Sequence, residues 1–385
     1  MTGCDVSRSW FVVSFFGISS FQGRHLVAKR KSPEVAIEEF GTAESDLRLR
    51  RKLKISENET KQVKARLSAS EAEVESLQKR IEVFTELGAA EAKPVKFGKA
   101  SNRKGQATAM LLLSDLHVEE RVDAEKVNWL NEYTLDIAEK SLNEVFQRAL
   151  MLLEHERALV NINELVIFLG GDNVSSRIHL ELIETGQLPP LAACRWVQER
   201  LEGGIRFLCE HAGVKKVRIV TSYGNHGRTT EKRRIATGSE NSYEYDMYQI
   251  MRSSMSSPLL EWNISKGYLN YIDIQGYTCR FHHGDAMRYH GAIGGITTTV
   301  EKANRSWDQQ IKADYSFCGH YHQHRVAPHW VMNGSLIGYS PFAVEIKAEF
   351  EEPSQTFCVI DKDRGMTVAK KVFCRPPYKK AVGSR

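Results

Sequence analysis

The sequence predicts an α/β fold built around two sheets and preceded by a long helical arm. Five short apolar runs, typical of buried strands, are spread over the C-terminal three quarters of the chain, and a short polar motif follows each one. Upstream of them, seam positions alternate by four and three from Leu49 to Phe84, which is the spacing of a coiled coil. These two patterns divide the chain into an arm and an α/β domain.

Residues 1–43 predict an irregular leader. The segment from Trp10 to Phe21 is apolar, but Ser14 and other small polar residues interrupt it, and it is too short to span a bilayer. A single Arg8 precedes it, and no clear small-residue cleavage site follows. An export signal and a packed apolar segment remain the alternatives. No other segment is long and apolar enough to cross a membrane, so we expect no membrane partner.

Residues 44–87 predict one long helix that forms a coiled-coil arm. Apolar residues and three small polar ones fill its seam, while charged side chains cover the other faces. Because the polar seam positions lie in the N-terminal half, Val74 to Phe84 should contribute most of the packing. We expect self-association through residues 49–84. A solvated single helix and a helix folded back on the rest of the chain are the alternatives.

A basic linker is predicted over residues 88–108. It combines Gly, Ala and Pro94 with five cationic residues and has little apolar content. Linkers of this kind are usually only solvated, although near a phosphate-binding site one can contact a polyanion. The domain that carries the motifs then spans residues 109–374, and residues 375–385 form a loose tail.

The polar motifs after the apolar runs predict one metal site. In chain order they are Asp115-Leu116-His117, Gly171-Asp172, Gly224-Asn225-His226, His283-Gly284 and Gly319-His320-Tyr321-His322. Each motif alone is weak, since such short strings are common in turns. Ligands gather beyond the carboxyl ends of strands in open α/β sheets, so five motifs at strand ends indicate a single site. Two carboxylates, an amide and several imidazoles suit two divalent cations with a bridging carboxylate.

His282 and His283 are adjacent, and the period of a strand distinguishes them. His283 shares a face with Phe281 and Cys279, whereas His282 shares a face with Arg280. We therefore assign His283 as the ligand and His282 as its neighbour.

The ordered motifs resemble those of the calcineurin-like metallophosphoesterase superfamily, which run D-x-H, G-D, G-N-H-[D/E], H-G and G-H-x-H. The resemblance covers the chain from about residue 110 to about residue 372. It implies a two-sheet metallophosphoesterase sandwich with α/β/β/α layers. One metal ion would then be held by Asp115, His117, Asp172 and His322, and the other by Asp172, Asn225, His283 and His320.

The same resemblance makes Asp172 the bridge between the metals and places His226 beside the leaving group as a catalytic residue. Mixed oxygen and nitrogen ligands without thiolate favour two Mn²⁺ ions, with Fe or Zn²⁺ as alternatives. Two such ions support hydrolysis of a phosphoester by an activated water, without a covalent intermediate. We therefore expect a metal-dependent phosphoric ester hydrolase.

The motif around His226 departs from the family pattern. Members usually carry Asp or Glu directly after G-N-H, and here Gly227 takes that place. A carboxylate partner for His226 must come from elsewhere or be absent, which weakens general-acid help for a poor leaving group. A catalytically weak scaffold protein that only binds metal is therefore an alternative function.

A basic run follows the catalytic His: Arg228, Lys232, Arg233 and Arg234. Charge runs are usually solvated, but this one lies close to a ligand turn, where a phosphate backbone would enter. Three nearby tyrosines can stack on bases or pack in a small cap: Tyr243, Tyr245 and Tyr248. The basic run, basic linker and arm resemble the repair-exonuclease and phage-encoded members, so we expect a phosphodiesterase acting on nucleic acid, that is, a nuclease.

The alternative enzyme class is a phosphomonoesterase or protein phosphatase. The stretch after Asp172 argues against it, because Asn173 to Arg177 departs from the G-D-x-V-D-R-G pattern of Ser/Thr phosphatases. The net charge of +5 is too modest to identify a nucleic-acid binder by itself. Seven cysteines without a C-x-x-C pair indicate reduced thiols in a cytoplasmic protein, in the host cytoplasm if the chain is phage-encoded.

The segments between and after the motifs complete the predicted fold. Leu180 to Cys209 predicts helix with a break at Pro189-Pro190, and the Gly-rich turn at 291–295 precedes a helix from Ile296 to Ile311. Three later segments predict strands that complete the second sheet: Trp330–Ile337, Thr356–Ile360 and Thr367–Phe373.

Overall fold

The computed structural model describes residues 43–89, 105–288 and 295–376, in two compact units that divide after Gly98. In the first unit, helix α1 (Ala43–Ala89) has 47 residues, or about 70 Å at 1.5 Å per residue. Its described side chains are exposed, including the seam residues Val74 and Ile81. The predicted helix is confirmed, and its self-association stays a prediction. The leader up to residue 42 and linker residues 90–104 lie outside the described residues.

The second unit contains the strands β1 (Gln106–Leu113), β2 (Asn161–Leu169), β3 (Lys216–Thr221), β4 (Leu260–Ile264), β5 (Asn270–Ile274), β6 (Tyr277–Phe281), β7 (Tyr315–Cys318), β8 (Arg325–Ala327), β9 (Trp330–Met332), β10 (Ser354–Asp361) and β11 (Gly365–Phe373). Its helices are α2 (Leu135–Arg157), α3 (Leu180–Thr185), α4 (Pro190–His211), α5 (Tyr243–Ser254), α6 (Gly295–Trp307) and α7 (Pro341–Glu345). Two short 3₁₀ helices lie at Ala124–Val127 and Ser239–Asn241.

The first sheet has six strands in the order β11-β10-β1-β2-β3-β4. Its four strands from β1 to β4 are parallel, and in their register Leu113 lies beside Leu169, which lies beside Thr221. The carboxyl ends of β1, β2 and β3 therefore meet at one edge of the sheet. The three motifs that begin the predicted site follow these strands directly.

The last two strands correct a prediction. Thr356–Ile360 and Thr367–Phe373 were expected in the second sheet, but β10 pairs antiparallel with β1, and β11 pairs antiparallel with β10. All residues of β10 are buried, so its side chains pack on both faces of the first sheet. An apolar run shows that a strand is buried without showing which sheet buries it.

The second sheet has five strands in the order β5-β6-β7-β9-β8. Strands β6, β7 and β9 are parallel, so the motifs after β6 and β7 lie at one edge. Of the predicted strand Trp330–Ile337, only Trp330–Met332 is a strand, and the last bond of its ladder runs from the amide of Asn333 to the carbonyl of Cys318.

Alternating side chains build the layers of the sandwich. Between the sheets, Leu112 and Phe168 pack against Phe281 and Phe317 in one buried cluster. The opposite face of the first sheet packs on α2, α4 and α5, and α6 packs on the outer face of the second sheet. The predicted two-sheet α/β/β/α sandwich is confirmed.

The helices follow their local sequence signals. The break at Pro189-Pro190 is present, since α3 ends at Thr185 and α4 starts with Pro190, whose missing N–H costs nothing in a first turn. The predicted helix from Ile296 ends four residues early, at Trp307. Residues 291–294 of the Gly-rich turn lie outside the described residues. Among the helices of the described ranges, none is long and apolar enough to cross a membrane.

Candidate metal centre

The loops after the two sheets are joined by backbone hydrogen bonds. Asp115 donates from its amide to the carbonyl of Gly171 at 2.9 Å, and the amide of Gly319 donates to the carbonyl of His283 at 2.8 Å. The amide of His320 in turn donates to the carboxylate of Asp115 at 3.0 Å. The amide of His226 joins the remaining motif to these by donating to Oδ1 of Asp172 at 2.7 Å. All five motifs therefore meet at one place, as the positions of the strand ends predicted.

Two groups of candidate ligands result. Asp115, His117 and His322 form the first group, and Asp172, His283 and His320 form the second, with the ligand atoms of each group within 4.8 Å of one another. Asn225 joins the second group, since its Oδ1 lies 3.2 Å from Nε2 of His283.

Within each group the ligand atoms approach directly. Nε2 of His117 lies 3.2 Å from Nε2 of His322, and Nε2 of His283 lies 2.9 Å from Oδ2 of Asp172. The structure thus brings together every residue that the sequence assigned to metal binding. It places Asp172 in the second group, and the bridging role of Asp172 stays a prediction.

The electrostatics suit a cation. Burial alone would raise the pKa of Asp172, but the neighbouring His283 holds it well below its usual range. Burial and then His283 lower the pKa of His320 to about 4, and burial holds the pKa of His117 well below its ordinary value. Burial lowers the pKa of His283 and His322 too, but the carboxylates of Asp172 and Asp115 raise the pKa of both rings above its ordinary value, so divalent cations would displace protons from these two rings. The donor set of carboxylates and imidazoles fits two such ions.

The ligand loops also concentrate unusual backbone conformations. Ten non-glycine residues of the described chain have positive φ, and five of them are candidate ligands: Asp115 (55°), His117 (46°), Asp172 (52°), His320 (73°) and His322 (55°). Such a conformation costs about 1 to 3 kcal/mol per residue and persists only where the surroundings determine it. The loops therefore adopt an unfavourable backbone conformation at these five positions, and this conformation directs the five side chains to one place.

Hydrogen bonds behind the ligands orient the imidazoles. Nδ1 of His283 lies 2.8 Å from the carbonyl of Gly170, which makes Nδ1 the protonated nitrogen and leaves Nε2 for a ligand. Nδ1 of His117 lies 2.6 Å from Oγ of Ser175, whose hydroxyl lies 3.0 Å from the carboxylate of Glu120. Both rings are thus held with Nε2 toward the site.

His226 lies at the edge of the first group. Its amide donates to Oδ1 of Asp172 at 2.7 Å, and its ring packs edge-on against His117 with centroids 4.9 Å apart. Burial lowers the pKa of His226, which keeps the ring neutral. Its Nδ1 is buried and has no hydrogen-bond partner among the described residues. The carboxylate expected to orient this ring is therefore not in contact with Nδ1 within the described chain.

Two buried carboxylates near the site were not predicted from the sequence. Oε1 of Glu119 accepts from the amides of Ser175 and Ser176 at 2.9 and 2.8 Å, which fixes the loop after Asp172. The position of Glu119, two residues after His117, could have indicated from the sequence that it lies near the site.

Glu244 accepts hydrogen bonds from backbone amides in the loops after β2 and β3, and burial raises its pKa. The sequence indicated the burial of Glu244 less clearly, through its helical spacing from three apolar or aromatic residues. Together they form the buried face of α5: Glu244, Met247, Tyr248 and Met251.

A basic groove of about 290 Å³ opens beside the candidate ligand Asn225. Four arginines line it: Arg228, Arg233, Arg234 and Arg288. Tyr223 and Tyr268 also line the groove. Arg288 was not among the predicted substrate contacts, because it follows a different motif and belongs to no charge run.

The predicted basic run divides into different roles. Arg228 lines the groove, but its guanidinium donates to the carbonyls of Asn225, Thr230 and Glu231, so it braces its own loop. Arg233 is paired with Asp285 at 2.8 Å. Lys232 is exposed and is not part of the groove lining.

Of the three predicted tyrosines, Tyr248 is fully buried and its hydroxyl accepts from Nδ2 of Asn173 at 2.7 Å. Its ring therefore packs in the core, and it cannot stack on a base. Tyr243 and Tyr245 are half-buried on the same helix.

No protein-family model and no curated protein matches the sequence. Solved structures do match, among them Vps29 of Entamoeba histolytica, solved with Zn²⁺, at 12% identity and a TM-score of 0.27, over 69% of this chain and 99% of that chain. A predicted phosphoesterase of Streptococcus pneumoniae matches at 11% identity and a TM-score of 0.25, over 69% of this chain and 97% of that chain.

A third match is the sulfate thiohydrolase SoxB of Thermus thermophilus, at 11% identity and a TM-score of 0.30, over 71% of this chain and 57% of that chain. Likenesses at these identities and TM-scores say nothing about activity, so the site assignment rests on the side chains described above. In its two-sheet fold, and in the order and convergence of its five motifs, this chain resembles the calcineurin-like metallophosphoesterase superfamily.

Proposed function

We propose that this protein is a metal-dependent phosphoester hydrolase whose substrate is a phosphodiester in nucleic acid. The observation that carries the proposal is the meeting of two candidate ligand groups, each with two buried residues and one half-buried residue, at the carboxyl ends of strands from both sheets. A structural metal is usually enclosed by thiolates and imidazoles, whereas carboxylates and imidazoles beside an open groove suit a metal that meets substrate.

Each ligand group has a distinct role in this proposal. The first would hold one divalent cation, and the second, with Asn225, would hold the other, with Mn²⁺ favoured. When bound, two such ions lower the pKa of a shared water and offset the charge that develops in an in-line displacement. Asp172 is oriented for this by its bonds to the amide of His226 and to the ring of His283.

His226 is placed to act on the leaving group. Its ring is neutral and fixed against His117, and its Nδ1 has no partner in the described chain. A neutral imidazole has one N–H donor and one acceptor, so it can hydrogen-bond an oxygen of the substrate as charge develops there.

The basic groove supports a polyanionic substrate. Arg234 and Arg288 line it beside Asn225, and neither is paired with a carboxylate in the described residues. A phosphomonoester has one phosphate, which the metals would bind, and it needs no further cations. A nucleic acid carries additional phosphates on either side of the scissile one, and arginines bind these at a distance from the chemistry.

The test compares substrates and variants. Purified protein with Mn²⁺ should hydrolyse single- or double-stranded nucleic acid and a small chromogenic diester. Arg234→Ala and Arg288→Ala should each weaken nucleic-acid binding and lower the slope of log K against log salt by roughly 0.7 to 0.9, while turnover of the small diester stays within about twofold. Lys232→Ala is the matched control, since it removes a cation of the same run outside the groove.

Three outcomes would contradict the proposal in different ways. Preferential hydrolysis of a chromogenic monoester would identify a phosphomonoesterase or protein phosphatase. Tight binding of two metals without turnover of any ester would identify a scaffold protein. Equal losses in Lys232→Ala and the two groove variants would show that the groove does not select the substrate.

A further inference from the structure

We propose that Glu244 is a positioning residue of the metal centre, which clamps the loop after β2 to the loop after β3 and fills the space that a side chain at position 227 would need. The inference rests on the proposed function, since it concerns the same site. It assigns a role to a residue in an insertion, outside all five motifs.

The hydrogen bonds of Glu244 define the clamp. Its side chain is fully buried, and Oε1 accepts from the amide of Asn173 at 2.5 Å and from Nδ2 of the same residue at 3.1 Å. Oε2 accepts from the amide of Gly224 at 2.7 Å. Asn173 follows Asp172, and Gly224 precedes Asn225. One carboxylate therefore holds the backbone next to two candidate ligands that come from different strands.

No Lys or Arg pairs with this carboxylate among the described residues. Burying a carboxylate without a cation costs several kcal/mol, and hydrogen bonds from N–H groups offset only part of that cost. A buried apolar side chain at the start of α5 would stabilise the fold more. A group that is unfavourable for stability and bonds only to ligand loops is best explained by what it positions.

Gly227 shows that the clamp excludes a side chain there. A Cβ at this position would lie 2.7 Å from Cγ and 2.8 Å from Cδ of Glu244, closer than real Cβ atoms approach. Gly227 is not among the glycines with positive φ, so its backbone would accept any residue. Space alone excludes a side chain, and Glu244 occupies that space. Glu244 of α5 thus places a carboxylate beside position 227, where it accepts from the amides of Asn173 and Gly224 and does not contact Nδ1 of His226.

The ligand loops have little freedom to compensate for loss of the clamp. A Cβ on Gly224 would meet Oδ1 of Asp172 at 2.0 Å, so the two loops already touch. The same Oδ1 accepts from the amide of His226. A shift of the loop after β3 would therefore move Asn225 and His226 together against Asp172. Displacements of about 1 Å at such a site can cost about 100-fold in rate.

The experiment is a double-mutant cycle between positions 227 and 244. The single variants are Glu244→Ala and Gly227→Asp, and the double variant combines them. Mn²⁺ affinity is measured by calorimetry, and kcat and KM are measured on a small chromogenic diester. Each single change should lower Mn²⁺ affinity by about 10- to 100-fold, which is the usual effect of groups behind metal ligands. The double variant should recover at least about tenfold of that loss, because the aspartate introduced at position 227 fits once Glu244 is truncated.

Two further variants keep the test interpretable. Glu244→Gln keeps the shape and one acceptor, so it should fold even if Glu244→Ala does not, and it should show an intermediate loss because its NH₂ group opposes an amide N–H. Glu156→Gln is the matched control, since Glu156 is a buried carboxylate on α2 that pairs with Lys370 and touches no ligand loop. It should leave Mn²⁺ affinity unchanged.

Amide hydrogen exchange separates this inference from the proposed function. Truncating Glu244 should speed exchange of the amides of Asn173 and Gly224 even in metal-free protein, by at least about tenfold, whereas Glu156→Gln should not. If exchange is faster in Glu244→Ala but the wild-type protein binds no metal, the clamp is supported and the proposed function is contradicted. Unchanged exchange, wild-type Mn²⁺ affinity in Glu244→Ala, or strictly additive losses in the double variant would each overturn the clamp.

Discussion

Replacing Asp172 with Asn changes a single oxygen and tests the whole metal assignment. In the structure Oδ2 of Asp172 lies 2.9 Å from Nε2 of His283, and Oδ1 accepts from the amide of His226 at 2.7 Å. Asn keeps one acceptor. If that oxygen stays with the His226 amide, the new NH₂ group faces His283, and the charge-assisted contact is lost.

The size of the effect follows from that loss. A hydrogen bond to a charged group contributes about 1.5 to 3 kcal/mol, or about 10- to 100-fold in affinity. The variant also loses one negative charge from a site that would hold two divalent cations. We therefore expect Mn²⁺ content to fall from two ions toward one, and kcat/KM on a small chromogenic diester to fall by more than about 100-fold.

The assay combines metal analysis of dialysed protein with steady-state kinetics at saturating Mn²⁺. Asp361→Asn is the matched control, because Asp361 is a buried carboxylate at the opposite end of the same sheet, beside Ala107. It should keep both metals and near wild-type turnover. If Asp172→Asn retains more than roughly a tenth of the activity together with two bound ions, the assignment of Asp172 as a shared ligand is wrong.

Two further outcomes are expected. His226→Ala should keep both metals while turnover slows by about 10²- to 10⁴-fold, most of all on esters with poor leaving groups; equal slowing on activated aryl esters would argue against a role at the leaving group. Deleting residues 1–90 should reduce the mass measured by light scattering to that of a monomer and leave small-diester turnover intact, since the first candidate ligand is Asp115. An unchanged mass would favour a helix that does not self-associate.

The local sequence was sufficient to predict an element where the residues that form it are close together in the chain. The apolar runs before Asp115 and Asp172 predicted β1 and β2, because a buried strand needs only its own side chains to be recognised. The helix over residues 44–87 and the break at Pro189-Pro190 are local effects of the same kind. The choice of His283 over His282 also followed from the two-residue period, and Nε2 of His283 does face Asp172.

Pairing between distant segments could not be predicted in this way. The run at Thr356–Ile360 is as apolar as a strand of either sheet, and only its hydrogen bonds to β1 place it in the first. Strands β4, β5 and β8 and helix α2 were not predicted at all. Their partners supply much of the burial that stabilises them, and that burial is invisible in an isolated segment.

The sequence by itself determined the candidate ligands and their order along the chain, because each motif follows a strand whose carboxyl end must reach one edge of a sheet. Only the tertiary structure decided what surrounds them. Arg228, close to His226 in the chain, lines the groove but uses its guanidinium to brace its own loop, while Arg288, 60 residues further on, lines the same groove without a carboxylate partner among the described residues. Glu244 reaches the loops after β2 and β3 because folding brings α5 against Gly227. Space and hydrogen-bond geometry select such residues, and neither follows from distance along the chain.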